Sequence, residues 1–287
     1  MSLETATLPT EPGAPAALAA PGERTRIEYF RSYQQTVQGP NWVVNLLWGM
    51  LAFFSSGVIP IVGPMVWTGY LYECVEVLTT TRGRVFPDFD VNRFGDYITR
   101  GVWPFLVQLV IWIAIWATWF VVYVGMFVVL GLAGAAGDEY APIVMAVGFP
   151  LLALALATVS VVPTALLAPL MLRAGLTQDL SSAVKLAWWG DFLKRVGLET
   201  ALTTLFILLT GAILTSLGCV FVFIGSYVAW AWVTMASAHL SWQLYELYLA
   251  RGGESVPLKP RELAPPPDRY LESGPPGYSL PPPANMT

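Results

Sequence analysis

Charged residues are scarce in this chain. Asp, Glu, Lys and Arg make up 12% of its 287 residues, whereas hydrophobic residues make up 55% and the mean hydropathy is +0.59. A soluble domain usually carries about 25% charged residues, and half of that leaves too little polar surface to cover a water-soluble globule. The composition therefore excludes most soluble enzymes and predicts an integral membrane protein with several spans.

Histidine and cysteine are also rare. The single histidine, His239, excludes a metal site built on two histidines, and we predict no metal site, no cofactor and no catalytic residue. The two cysteines, Cys74 and Cys219, lie far apart inside apolar runs, which argues against a CxxC motif or a disulfide framework. Because no run of Lys or Arg forms a basic face, we expect no nucleic-acid partner.

Six long apolar runs fill the middle of the sequence. Each is close to or above the roughly 20 residues that a helix needs to cross the hydrocarbon core of a bilayer. We therefore predict an all-α fold, a polytopic helical membrane bundle of about six transmembrane helices in three hairpins. The third, fourth and sixth runs are so long that they must tilt, kink or extend past the interface. The predicted spans are residues 42–59, 62–80, 102–132, 142–172, 198–217 and 220–250.

The two ends of the chain differ from its middle. Residues 1–25 are rich in Ala, Pro, Thr and Glu and are predicted to be disordered, with no cleaved signal peptide. The membrane domain is assigned to residues 26–252. Residues 253–287 form a Pro-rich tail that should sample polyproline II. Such a tail either docks into an aromatic groove of a cytoplasmic protein partner or stays a solvated low-complexity segment.

The basic residues indicate an orientation. All 15 Lys and Arg residues precede span one, follow span six, or lie between spans two and three or between spans four and five. With six spans these four segments share one side of the membrane. The only charged residues on the opposite side are then Asp138 and Glu139. The positive-inside rule then places both termini in the cytoplasm, with the protein in the cell membrane. An odd number of spans would scatter the basic residues over both sides.

A short pattern of acidic, aromatic, apolar and basic residues precedes two of the spans. It occurs at 95–100 before span three and at 190–195 before span five, with a weaker echo at 28–31. In such a segment the aromatic ring can settle at the headgroup level while the Arg reaches a lipid phosphate. We predict cytoplasmic interfacial helices at these positions. Chance similarity between ordinary interface flanks would produce the same pattern.

Several short motifs surround the first hairpin and end the last one. They are Ile59-Pro60-Ile61-Val62-Gly63-Pro64, Gly69-Tyr70, Gly83, Phe86-Pro87-Asp88-Phe89-Asp90, Gly218-Cys219 and Gln243-Leu244-Tyr245. With these motifs the chain resembles, over residues 40–250, the prokaryotic membrane protein family called domain of unknown function 4013. The resemblance implies a polytopic bundle and supplies no activity, cofactor or catalytic residue.

Polar residues inside two predicted spans form the first candidate site. Glu73 and Glu76 are spaced i, i+3 on span two, and His239, Gln243 and Glu246 are spaced i, i+4, i+7 on span six, at overlapping depths. A charged acid at the bilayer centre costs roughly 2.5–3.5 kcal/mol, so these side chains should face protein or water. They could form a proton- or cation-handling site. The alternative is a pair of acids near the interface beside one hydrogen-bonded histidine.

The loop between spans two and three is the second candidate site. It combines aromatic residues with the charged residues Arg82, Arg84, Asp88 and Asp90. Such a loop can bind anionic headgroups or a cytoplasmic partner. Alternatively, it is a turn in which Asp90 caps the following helix.

Three functions remain open at this point. The first is a non-enzymatic organising or interaction component of the lipid bilayer, which works through its loops, interfacial helices and Pro-rich tail. The second is a small-solute or ion transporter that uses the acidic and histidine residues of spans two and six together with span four, which contains Pro150, Pro163 and Pro169. A membrane enzyme is the third, and it would depend on the cluster Asp88, Asp90 and Asp96.

Overall fold

The fold is described from a computed structural model, which covers residues 24–83, 85–136, 140–221 and 224–259. Within these residues all regular structure is helical, which confirms the predicted all-α class. A 3-10 helix, Val91–Arg93, leads directly into the fourth α-helix. The α-helices are α1 (Tyr29–Thr36), α2 (Trp42–Ser55), α3 (Val62–Thr81), α4 (Phe94–Ala136), α5 (Tyr140–Thr177), α6 (Leu180–Ala183), α7 (Leu186–Cys219) and α8 (Ile224–Ala250).

Three stretches are long and apolar enough to cross a membrane by length and composition. They are Val91–Leu132 in the 3-10 helix and α4, Ala146–Thr177 in α5 and Leu186–Cys219 in α7. Helix α2 is apolar but has only 14 residues. Helices α3 and α8 coincide with predicted spans two and six, yet they carry buried acidic, histidine and glutamine side chains that lower their hydropathy. The count of six spans therefore stays a prediction.

Helices α3 and α8 form the centre of the bundle. Helix α3 contacts α2, α4, α5 and α8, and α8 contacts α1, α2, α3 and α7. Their large side chains Trp67, Tyr70, Met235 and Tyr248 are almost completely buried, as is Trp188 at the start of α7. Full burial of one large apolar side chain contributes about 1.5–3 kcal/mol, so this layer holds the other helices in place.

The α4–α5 hairpin extends beyond this core. At 1.5 Å per residue the 43 residues of α4 span about 64 Å, twice the thickness of a hydrocarbon core. No described side chain between Ile115 and Ala165 is buried. Large apolar side chains such as Phe120 and Phe127 face outward there. The excess length predicted for spans three and four thus becomes a projecting apolar hairpin.

The four basic segments meet at one end of the bundle. Arg24 reaches Gln243 near the end of α8, and the side chain of Gln35 reaches the carbonyl of Gly83 after α3. At the start of α7 the ammonium group of Lys185 pairs with Glu254, and the backbone of Lys259 bonds to the last turns of α5. These contacts join the segments that six antiparallel spans would place on one side.

The two predicted interfacial helices differ from each other. Helix α4 runs without a break from Phe94, and Arg100 in its second turn binds to α3. In α7 the backbone of Val196 is non-helical, with φ −134° and ψ 20°, so residues 186–195 form a separate short helix before the long one. Helix α5 is assigned as one helix across its three prolines.

The start of the predicted tail lies against the bundle. The Val256 amide donates to the Tyr245 hydroxyl at 2.7 Å, and its side chain is buried. The Trp188 indole donates to the carbonyl of Glu254 at 3.1 Å. The described residues after α8 therefore pack against the helical bundle. The remainder of the tail and residues 1–23 lie outside the described residues.

Candidate functional site

Helix α3, the 3-10 helix and the start of α4 bring together four charged side chains, which we call the charge cluster. They are Glu73, Glu76, Arg93 and Arg100. Both Nη atoms of Arg93 bind the Glu73 carboxylate, with 2.8 Å between Nη2 and Oε2. Arg100 binds Glu76 and places Nη1 3.8 Å from Glu73 Oε2. Glu73, Glu76 and Arg100 are at most 6% exposed. Two negative and two positive charges therefore balance inside the bundle.

Helical spacing and two glycines make this pairing possible. The two acids lie one turn apart on α3, and the two arginines lie seven residues apart, which corresponds to two turns. A Cβ atom on Gly69 would lie 1.9 Å from the Tyr97 carbonyl oxygen, and one on Gly101 would lie 2.0 Å from that of Met65. Only glycine lets the backbones of α3 and α4 approach this closely.

Two further polar side chains lie beside the guanidinium groups of Arg93 and Arg100. With its amide oxygen turned toward α4, Gln178 accepts from Nη2 and Nε of Arg100 at 3.1 and 3.0 Å. Gln178 follows α5 and has a φ of 51°. On the other side, the Asp96 carboxylate lies 3.5 Å from Arg93 Nε. The charge cluster thus joins α3, α4 and the chain segment after α5.

Helix α8 presents a second polar group to the N-terminal segment. His239 Nδ1 lies 3.0 Å from Ser32 Oγ, and Gln243 Nε2 lies within 3.1 Å of both atoms. The Gln243 amide also pairs with the backbone of Glu28, accepting from its N–H at 2.7 Å and donating to its carbonyl at 3.2 Å. Arg24 adds a hydrogen bond to Gln243 Oε1 at 3.0 Å. The side-chain amide of Gln243 therefore hydrogen-bonds to both the N–H and the carbonyl of Glu28, as a backbone peptide group would.

The structure divides the predicted intramembrane site into these two groups. Its two acids on α3 face α4, whereas His239 and Gln243 face α1. Glu246, one turn further along α8, is partly buried and interacts electrostatically with Arg24 and Arg82. A relay from carboxylate to imidazole does not assemble, because α3 and α8 turn these residues toward different neighbours.

The acidic residues of the second candidate site hold the loop in place. Asp88 accepts from the side-chain amides of Asn41 at 2.7 Å and Asn45 at 3.2 Å. Asp90 accepts from the Asn92 amide at 2.9 Å and caps the 3-10 helix, as the alternative interpretation of the loop predicted. These two carboxylates are therefore engaged within the chain.

The basic residues of the same loop are placed differently. Arg82 is exposed and ends α3 in the left-handed conformation, with φ 56°, followed by Gly83 with φ 74°. Arg84 lies outside the described residues. Of the four predicted loop-site residues, Arg82 is the one that the structure places on the surface.

The loop also folds back along the bundle. The Tyr70 hydroxyl donates to the carbonyl of Pro87 at 2.9 Å. The ring of Phe89 lies between the rings of Tyr70, Tyr97 and Trp48, with centroid distances of 5.3, 4.9 and 5.3 Å. The Pro-Asp-Phe-Asp motif thus anchors the loop in the bundle through its aromatic ring and its first carboxylate.

Replacing Asn45 by leucine should loosen this loop. The Asn45 side chain is buried, donates to Asp88 and accepts from the Phe89 amide at 2.8 Å. Leaving buried partners unsatisfied costs about 1–3 kcal/mol. We expect faster trypsin cleavage at the neighbouring arginines and a lower melting temperature in detergent. Asn92→Ala, an exposed change in the same loop, is the control. Equal cleavage of both variants would contradict the role assigned to Asn45.

Sequence reasoning missed the partners of the buried acids. From the sequence, Arg93 is interpreted only as an orientation signal, and Arg100 also as an arginine that reaches a lipid phosphate. Their spacing of seven residues nevertheless matches an acid pair on a neighbouring helix. Ser32 gave no signal, because its contact with His239 joins residues 207 positions apart. The spacing of like charges on successive helices was the one indication that could have found the charge cluster.

The aspartates considered for a membrane enzyme do not converge. Asp88 binds two asparagines, Asp90 caps the 3-10 helix, and Asp96 faces Arg93. Over residues 24–83, 85–136, 140–221 and 224–259, no group of three or more His, Cys, Asp or Glu side chains could hold a metal ion.

Fold and contacts together define an all-α protein whose apolar helices are compatible with a membrane and whose buried polar side chains join one helix to another. The family model described as "Protein of unknown function (DUF4013)" matches residues 52–230, more than half of the chain. The chain belongs to this family. The matched segment contains the whole charge cluster and ends before His239. Neither the curated proteins nor the solved structures contain a match.

Proposed function

We propose that this protein is an integral membrane protein of the cell membrane with six spans and both termini in the cytoplasm. The meeting of all four basic segments at one end of the bundle supports this orientation, because cytoplasmic segments carry an excess of Lys and Arg. The outward-facing apolar side chains of α4, α5 and α7 suit a lipid environment.

Within the membrane, the proposed role is that of a non-enzymatic organising or interaction component. The observation that carries this proposal is that residues 24–36 and residues 254–259 are both bound to the same end of the bundle. Residues 24–36 are held on α8 by Gln243 and His239, and residues 254–259 are held on α5, α7 and α8. The buried polar groups thereby serve to present two terminal segments on one side of the membrane.

Two truncations test this role. Removing residues 260–287 should leave the melting temperature unchanged, because the contacts of Val256 and Lys259 remain, and should abolish the interactions made by the Pro-rich tail. Removing residues 255–287 should also lower the melting temperature. Proximity labelling from a fusion at the N-terminus would compare neighbours of the full-length and shortened proteins. An identical set of neighbours would remove the tail from the proposal.

The alternative function, transport through Glu73, Glu76 and His239, finds less support in the geometry. Both carboxylates are bound to arginines, and the imidazole lies between Ser32 and Gln243. Flux in reconstituted vesicles that disappears in a Glu76→Gln variant of normal stability would favour transport over an organising role.

A further inference from the structure

A cavity of about 370 Å³ lies between α3, α4 and α8 and is bounded also by α2, Pro60 and Met171. Its volume falls within the 300–1,000 Å³ typical of small-molecule sites. None of the four residues of the charge cluster lines the cavity, and neither His239 nor Gln243 does. It is therefore distinct from both polar groups described above.

The lining carries no charge. None of the described side chains around the cavity is an Asp, Glu, Lys, Arg or His. An ion placed there would lose its hydration without gaining an opposite charge, which is strongly unfavourable in an apolar environment. The ligand that fits this cavity is an uncharged molecule.

Hydrogen-bonding groups nevertheless line the cavity from several helices. Thr68 and Tyr72 on α3 and Gln108 on α4 have no hydrogen-bond partner among the described residues. On α8, Ser237 and Ser241 donate to carbonyls of their own helix, which leaves their oxygens free to accept. Since buried polar groups are normally paired, a ligand that can both donate and accept, such as an alcohol, would satisfy these side chains.

The rest of the wall is apolar and aromatic, and part of it faces outward. Phe53, Trp67 and Trp230 contribute rings to the lining. Leu109 and Trp112 of α4 line the cavity and are each 40% exposed. If the protein spans the bilayer as proposed, this side of the cavity opens toward lipid.

We infer that the cavity between α3, α4 and α8 binds an uncharged single-chain lipid that carries a hydroxyl headgroup. The chain lies along the aromatic wall, and the hydroxyl group bonds to the polar side chains of α3, α4 and α8. This inference rests on the proposed membrane location, but it does not depend on the proposed organising role.

Photolabelling of the full-length protein in nanodiscs tests the inference. The probe is a medium-chain fatty alcohol with a diazirine in its chain, and the matched probe is the corresponding alkyl sulfate, which stays ionised. We expect saturable labelling of α3 and α8 by the alcohol and at least about tenfold less by the sulfate, since the cavity offers no counter-charge. Equal labelling by both probes, or labelling confined to the outward face of α4, would overturn the assignment.

Variants connect the labelling to the cavity. Ser237→Phe fills the space and should reduce labelling by the alcohol to background, whereas Val162→Phe, at an exposed position of α5 outside the cavity, should leave it unchanged. If Ser237→Phe does not fold, Ser237→Ala should still weaken labelling severalfold. Unchanged labelling of a folded Ser237 variant would refute the site. Neighbours found through the tail should be unaffected by these changes, so this inference and the organising role can fail separately.

Discussion

Replacing Arg100 by leucine should lower the free energy of unfolding by about 3–5 kcal/mol, the usual cost of leaving a buried charge without its partner. Arg100 binds Glu76 and also faces Glu73, and both acids are buried. The variant would leave Arg93 to balance two carboxylates. Unfolding in detergent with increasing SDS, followed by circular dichroism, measures this loss.

A double variant separates charge pairing from packing. Replacing Glu76 and Arg100 together by leucine should recover most of the lost stability, because an apolar pair often replaces a buried ion pair at little cost. Lys185→Leu breaks an exposed pair with Glu254, whose side chains are 48% and 60% exposed, and should cost less than about 1 kcal/mol. Equal losses for Arg100→Leu and Lys185→Leu would show that the charge cluster does not stabilise the bundle.

The second large effect concerns the contact between α3 and α4. In Gly69→Ala the added methyl group would lie 1.9 Å from the Tyr97 carbonyl oxygen, so the helices must separate. Overpacking of this kind typically costs about 1–3 kcal/mol, and separation would also lengthen the bond from Arg93 to Glu73. We expect a clear fall in melting temperature.

Gly125→Ala provides the matched control on α4. Nothing lies within 4 Å of a Cβ atom at Gly125, and alanine is favoured over glycine in a helix by about 0.5–1 kcal/mol. The same substitution should therefore destabilise at one glycine and be neutral or stabilising at the other. Stability changes of opposite sign in the two variants would support the close approach of α3 and α4. A stabilised Gly69→Ala variant would contradict it.

Local sequence patterns predicted the helices well. Predicted spans one and two begin at Trp42 and Val62, where α2 and α3 begin. The signals that predict where a helix begins, an apolar run and helix-breaking residues, lie within a few positions of that boundary. The cap formed by Asp90 is equally local, since its partner is two residues away.

Contacts between distant residues could not be predicted in the same way. The acids of α3 face α4 and not α8, because Arg93 and Arg100 lie just before and within α4. Gly69 on α3 and Gly101 on α4 let the two helices approach closely. The contact of Asn45 with the loop at Asp88 joins residues 43 positions apart. A single sequence shows which polar residues lie inside apolar runs. The arrangement of the helices around one another decides which of these polar residues come into contact.

The contacts of the segment after α8 could not be predicted for a related reason. A Pro-rich composition begins soon after α8, yet Val256 and Lys259 bond to Tyr245 and to the end of α5. A few apolar residues in a polar segment are enough to keep it on the bundle when hydroxyl and carbonyl partners are present.

The orientation of the two ends of the bundle is the central claim, and native Cys219 can report on it. This cysteine is exposed at the end of α7, whereas Cys74 is buried. With a membrane-impermeant maleimide on intact cells, we predict labelling of Cys219 and of an Asp138→Cys variant from outside. In a Cys219→Ser background, Lys185→Cys should be labelled only after the membrane is opened. Labelling of Asp138→Cys and Lys185→Cys from the same side would contradict the account.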